Sequence, residues 1–209
     1  FPKKGFPSFR KCMNEYLEKK EISCDSLKKI VPVSHLIADE VHKKYPYVQK
    51  KLSSPIPPGI TKIGITKKKF VPGKPVIGFM GKEWKRKGLP KVIKIWRELR
   101  KEIPGIELCL AGFPTQDDIG LLNNESDKVQ ILGYLEDKNK FFGKIDILLH
   151  PAKKEAYGMV IAEASSIGIP VVFSKQCGAA EDEHINPKIV NNESIPLIKW
   201  KYSIIDILD

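Results

Sequence analysis

"PVIGFMGKEWKRKGLPKVIKIWRELRKEIPGIELCLAG", residues 75–112, decides the fold. It opens on a short apolar run, passes through a basic loop, takes up helical spacing, and closes on a second apolar run. In the middle stretch Val92, Ile93, Trp96 and Leu99 share one face, while Lys91, Lys94, Arg97 and Lys101 share the other. That is the pattern of a helix laid on a core, with Trp96 as a core side chain rather than a ligand platform. The flanking runs are apolar but for Glu107 instead of alternating, as expected of strands covered on both faces. Strand, helix and strand then form a βαβ unit with parallel strands.

The alternation continues downstream. "VQILG" (129–133), "DILLHPA" (146–152) and "PVVFS" (170–174) read as further strands, and helices are predicted over 116–123, 138–144 and 158–167. Residues 75–190 are therefore predicted to form an α/β domain, a doubly wound parallel sheet of Rossmann-like type. Upstream, "KKIVPVSHLIADEVHKKYP" (28–46) reads as a short strand, a cap at Ser34 and a helix carrying Leu36, Ile37, Val41 and Tyr45, stopped by Pro46. "SSPIPPGITKIGITKKKFVPGK" (53–74) has no helical period and marks a boundary near residue 70. The division is thus 1–60, a basic linker over 61–74, the domain 75–190 and a tail over 191–209. In the tail, Trp200, Ile204, Ile205 and Leu208 are expected to dock on a surface that the sequence does not identify.

With 42% hydrophobic and 29% charged residues in 209, the chain is of globular composition. No apolar run approaches the roughly 20 residues that a membrane-spanning helix needs. The opening "FPKKGFPSFRK" lacks the apolar core of a signal peptide and does not begin with Met, so the chain reads as a fragment or a processed form. Its four cysteines lie far apart, which suggests reduced thiols in a cytoplasmic protein, with Cys109 in the core and no metal site. The net charge of +11 comes from residues 1–74, which hold 17 basic and 6 acidic residues against 19 of each in the remainder. Such a segment could meet an anionic membrane surface, a phosphorylated acceptor or nucleic acid. Among those 17 only Arg10 is an arginine, which disfavours bidentate reading of bases.

In an open α/β sheet, ligands bind beyond the carboxyl ends of the strands. After the first strand, Lys82, Lys85, Arg86 and Lys87 stand between Gly81 and Gly88, a plausible clamp for a pyrophosphate. After the third, Gly133 and Tyr134 could hold a base edge-on and lie across its ring. After the fourth comes "KEAYGMVIAEASSIGIP" (154–170), with a helix expected to start near Gly158 and to end at Gly168. Glu155 then precedes the helix and Glu163 lies in its second turn, within so apolar a run that it should be partly buried. The N–H groups of Gly158, Met159 and Val160 are left for an anion. Two carboxylates flanking an anion site suit a ligand with hydroxyls at both ends and phosphate between them, a nucleoside diphosphate sugar.

On these residues the chain resembles the retaining glycosyltransferases of family 4, which have the GT-B fold. "EAYGMVIAEASSIGIPVV" is similar to that family's motif of two glutamates separated by seven residues, and "GFMGKEWKRKGLPKVI" to its basic loop. "IPPGI" resembles the hinge, although Pro58 stands where the family often has Asn. The basic loop is most similar to that of lipopolysaccharide core glucosyltransferases. The resemblance implies that Glu155 binds hydroxyls of the donor sugar and Glu163 those of the ribose. It implies that Arg86 and Lys87 neutralise the diphosphate and assist its departure, that Gly158 and Met159 offer N–H groups to the distal phosphate, and that Gly81, Gly133 and Tyr134 line the donor site. No cofactor or metal is implied, the donor substrate is expected to be a UDP-sugar first, and the acceptor a glycan or glycolipid. The N-terminal acceptor domain is represented only by a remnant, so donor binding with little or no transfer is expected. The enzyme would be cytoplasmic, with peripheral contact at the inner face of the membrane through its basic segment.

Two other classes compete. An NAD-binding Rossmann oxidoreductase is disfavoured because no GxGxxG follows the first strand. A nucleic-acid-binding module would rest on the N-terminal lysines alone, and no nucleic acid is expected.

Overall fold

The computed structural model describes residues 9–61, 64, 70–112, 126–185, 189–191 and 195–208. The helix predicted over 116–123 and half of the basic linker, 62–63 and 65–69, lie outside them. By internal contacts the chain divides into two units, Phe1–Ile56 and Pro57–Asp209.

The first unit holds α1 (Phe9–Ser23) and α2 (His35–Lys44), followed by a 3-10 turn over Pro46–Lys51. Ser34 caps α2 as its sequence suggests, with its hydroxyl accepting from the Ile37 N–H at 3.3 Å. The strand expected before it shrinks to a single parallel bridge between Ile30 and Leu52. Tyr45 and Val48 are buried, whereas Leu36, Ile37 and Val41 are only half-buried.

The second unit is an α/β layer structure on six parallel strands. They are β1 (Val76–Met80), β2 (Glu107–Ala111), β3 (Val129–Ile131), β4 (Ile147–His150), β5 (Val171–Ser174) and β6 (Ile189–Asn191), in the order β3-β2-β1-β4-β5-β6. The helices are α3 (Trp84–Lys87), α4 (Leu89–Arg100), α5 (Asn139–Phe142), α6 (Met159–Ser166) and α7 (Leu197–Leu208). On one face, Ile77, Phe79, Leu108, Leu110, Ile147 and Leu149 pack with Val92, Trp96 and Leu99 of α4 in one core. On the other, Gly78 has no side chain where Phe141 and Ile145 press on the sheet: a Cβ there would come within 2.6 Å of Ile145. Both faces are covered, which is why the strands lack alternation.

Trp96 is fully buried, and its Nε1 donates to the Ile106 carbonyl at 3.3 Å. Ile95 is buried as well, so the apolar face of α4 is wider than one helical stripe, and Lys91 and Arg97 are only half-exposed. The surface that receives the tail is α4. Trp200 and Ile204 enter the same core, Lys91 Nζ lies 4.7 Å over the Trp200 ring, and Lys201 pairs with Glu102. Residues 197–208 therefore form an integral layer of the domain. Ile204→Val is expected to cost about 1 kcal/mol, as for other buried methyl deletions, and a shift in the urea midpoint at unchanged slope checks it.

Candidate functional site

Strand order reverses between β1 and β4, the switch point at which open α/β sheets take ligands. The loops leaving those two strands touch. Gly88 sits at φ 92°, between α3 and α4, and a Cβ on it would lie 2.2 Å from the Pro151 carbonyl oxygen. The Lys153 N–H donates to the Arg86 carbonyl at 3.1 Å.

The basic loop is partly helical: α3 is a single turn, started by the Lys87 N–H donating to the Glu83 carbonyl at 2.9 Å. That turn divides the four cations. Arg86 donates from Nε and Nη2 to Glu83 Oε2 at 2.9 and 2.6 Å, and from Nη1 to the Lys154 carbonyl. Its Nη2 also lies 3.7 Å from Glu155 Oε2, and Lys87 Nζ lies 3.2 Å from the same oxygen. Lys85 instead lies 5.0 Å over the Trp84 ring, and neither it nor Lys82 pairs with an acid among the described residues. The clamp is thus narrower than the loop's composition suggests. Two cations converge on Glu155, and Gly81 gives Lys87 room, since a Cβ there would sit 2.4 Å from Lys87 Cδ.

Glu155 is fixed through its backbone, which donates to the Gln176 carbonyl at 2.9 Å and accepts from the Gly178 N–H at 3.1 Å. Burial works against its charge, but the His150 imidazole, once protonated in acid, and the Lys87 ammonium group more than offset that, so its pKa is held at about 2. His150, the last residue of β4, is fully buried and stacks on Phe79 at 6.1 Å. Its Nε2 is 3.8 Å from Glu155 Oε2, too long for a hydrogen bond, and burial pushes its pKa down. It is neutral at neutral pH. The sequence reading missed it, although a polar residue ending the apolar run "ILLH" was a signal.

These shifts set an acid dependence. His150 protonates more readily unfolded than folded, so stability is expected to fall as pH drops below about 6.5. Glu155 adds stability that is present above about 4.5 and lost as pH falls towards about 2. Urea unfolding across that range should show a shallower slope below pH 4.5 for Glu155→Gln and between pH 7 and 5 for His150→Gln.

Gly158 caps α6 at φ 103°, a backbone state that side chains rarely adopt. In a helix beginning there, the N–H groups of Met159 and Val160 have no intrahelical acceptor. The segment is anchored by the Tyr157 hydroxyl on Asp182, and burial together with that carboxylate pushes the Tyr157 pKa up. Glu163 is buried, at 8% exposure. Lys138 Nζ reaches its Oε1 at 2.5 Å, while Oε2 has no hydrogen-bond partner among the described residues. A buried acceptor left open is what a ligand hydroxyl satisfies. Lys138, in the polar run "EDKNK", carried no signal to distinguish it from a surface lysine. At the end of β3, Gly133 (φ 66°) accepts from the Gly112 N–H at 2.8 Å, and the Tyr134 ring is 78% exposed, available for stacking.

Among the described residues no group of three His, Cys, Asp or Glu side chains could hold a metal ion, and no helix is long and apolar enough to cross a membrane. The chain is 23% identical over 124 residues to the capsular polysaccharide biosynthesis glycosyltransferase CapM of Staphylococcus aureus, which covers 57% of this chain and 31% of that protein. The solved structure of WaaG, a glycosyltransferase involved in lipopolysaccharide biosynthesis, matches 86% of this chain and 53% of its own with a TM-score of 0.70 at 21% identity. The pneumococcal O-GlcNAc transferase GtfA, solved with UDP and GlcNAc, matches 93% of this chain and 40% of its own with a TM-score of 0.69 at 16% identity. The chain therefore spans about a third of the length of its curated relative CapM and about half of WaaG. The sequence pattern of the family described as Glycosyl transferases group 1 matches residues 63–184, more than half of the chain, and the chain belongs to that family.

Proposed function

We propose that this chain binds the donor of a retaining hexosyltransferase of family 4, which moves a hexose from a UDP-sugar to a glycan or glycolipid acceptor, without a metal. The observation that carries the reading is the convergence of Arg86 and Lys87 on Glu155 at the switch point, with Glu163 Oε2 left open on the neighbouring helix. The diphosphate would replace Glu83 on Arg86 and share Lys87 with Glu155. Negative charge that develops as the sugar leaves would then meet two cations already in place. Glu155, ionised at any ordinary pH, accepts hydroxyls of the sugar. Glu163 accepts the ribose hydroxyls, the N–H groups of Gly158 and Met159 meet the distal phosphate, and Tyr134 stacks on the base. UDP in the GtfA structure supports the choice of nucleotide. The setting would be the cytoplasm, with the basic N-terminal segment against an anionic membrane face.

A thermal-shift panel of UDP-, GDP- and ADP-sugars, NAD and an oligonucleotide tests this. A UDP-sugar at 100 times its dissociation constant should add about 2.7 kcal/mol, whereas NAD and the oligonucleotide should add nothing. Glu163→Gln should weaken UDP and the UDP-sugar alike, by about tenfold to a hundredfold, while Glu155→Gln should weaken only the sugar-bearing ligand. Parent-like binding by both variants would place the pocket elsewhere.

A further inference from the structure

A cavity of about 520 Å³ opens in the same unit, lined by none of Arg86, Lys87, Glu155 and Glu163. Four segments build it: α3, the start of α4, the loop after β4 and the residues entering α7. Four cations line it, namely Lys85, Lys91, Lys94 and Lys153, and among the described residues no acid does. Lys85 and Lys91 are spread over the Trp84 and Trp200 rings, while Lys94 and Lys153 are exposed and pair with no acid among the described residues. Four ammonium groups around one concavity repel one another and focus a positive field into it, which an anion relieves.

The rest of the wall is apolar, including Pro151, Ile195 and Leu197. A free phosphate would leave that wall in contact with water. A nucleotide fits poorly too, because among the described residues no carboxylate lines the cavity to take ribose hydroxyls. The volume is that of a site for a small organic molecule.

We propose that this cavity is a second binding site, for an anionic amphiphile. Its phosphate-like head lies against Lys94 and Lys153, and its apolar segment lies along Ile195 and Leu197. The chemistry is shared by a phospholipid and a soluble alkyl phosphate ester, and the site uses none of Arg86, Lys87, Glu155 and Glu163.

The test is calorimetric titration of the 209-residue chain with octyl phosphate below its micellar concentration, with inorganic phosphate and octyl glucoside as half-ligands. Octyl phosphate should bind one to one, at least about tenfold more tightly than either half-ligand, a difference of about 1.4 kcal/mol. Lys94→Glu should weaken octyl phosphate at least tenfold and leave the thermal shift by UDP-sugar unchanged. Leu197→Asn, with folding checked by its melting curve, should weaken octyl phosphate but not inorganic phosphate. Vesicles containing phosphatidylglycerol identify the source once octyl phosphate has separated parent from Lys94→Glu: weaker vesicle binding by Lys94→Glu then indicates a bilayer lipid, and equal vesicle binding a soluble ester. Equal binding of octyl phosphate by the parent and Lys94→Glu, or inorganic phosphate binding as tightly as octyl phosphate, overturns the proposal.

Discussion

Replacing Arg86 and Lys87 together by alanine is expected to weaken binding of a nucleoside diphosphate about a thousandfold. Each side chain would make a charge-assisted contact to phosphate worth about 1.5–3 kcal/mol, and about 4 kcal/mol for the pair is three decades of affinity. Stability should fall too, but for a different reason. The Arg86–Glu83 pair is exposed and contributes little. Lys87 is the near cation of Glu155, whose side chain is 14% exposed, and without it a buried carboxylate faces only a neutral imidazole. Its pKa should rise from about 2 towards the ordinary value of about 4.5, so the stability lost on acidification below about 4.5 should shrink. Adding Glu155→Gln removes the stranded charge, so the triple variant should regain stability without regaining affinity. Calorimetry with UDP, beside urea melts of parent, double and triple variants, separates the two effects. A triple variant that binds UDP like the parent would show that the diphosphate sits away from these cations.

The features set by local sequence are legible in it. The β1-α4-β2 unit announces itself because both strand faces are covered and because the lysines of α4 lie outside its apolar stripe. The helix of 158–167 was placed within a residue at each end, since Gly158 and Gly168 both take positive φ and bracket an apolar run. What escaped depends on contacts remote in sequence. β6 is three residues long and qualifies as a strand only by pairing with Val172–Ser174. The destination of α7 is α4, roughly a hundred residues upstream, and Trp200 has no local feature that names it. At the site, the loop looked like four equivalent cations. Glu83, three residues before Arg86, winds α3 and sends only Arg86 and Lys87 towards Glu155. His150 and Lys138 matter through burial and proximity, which composition does not record.

Gly88→Ala should be the most damaging single methyl in the domain, at about 3–5 kcal/mol, because it joins a positive φ to a 2.2 Å approach on a backbone oxygen, closer than the 2.7 and 2.9 Å met at positive-φ Gly158 and Gly112. Gly168 is also at positive φ, 73°, but a Cβ there meets nothing within 4 Å, so Gly168→Ala should cost only the backbone term of about 1–2 kcal/mol. Gly105 has ordinary φ, but its Cβ would lie 2.1 Å from the Gly73 carbonyl oxygen, so Gly105→Ala isolates the clash, about 1–3 kcal/mol. At Gly88 the backbone is at 92° and the obstacle is the Pro151 carbonyl, 2.2 Å from the added carbon. Relief requires the loop after β1 to lift from the loop after β4. That movement carries Arg86 and Lys87 away from Glu155, so the fraction that still folds should bind UDP-sugar weakly. Urea midpoints of the three variants measure the first claim. UDP-sugar titration well below the melting temperature measures the second: loss of affinity in Gly88→Ala with parent-like binding in Gly168→Ala is the expected result, and parent-like binding in both would uncouple the loop contact from the site.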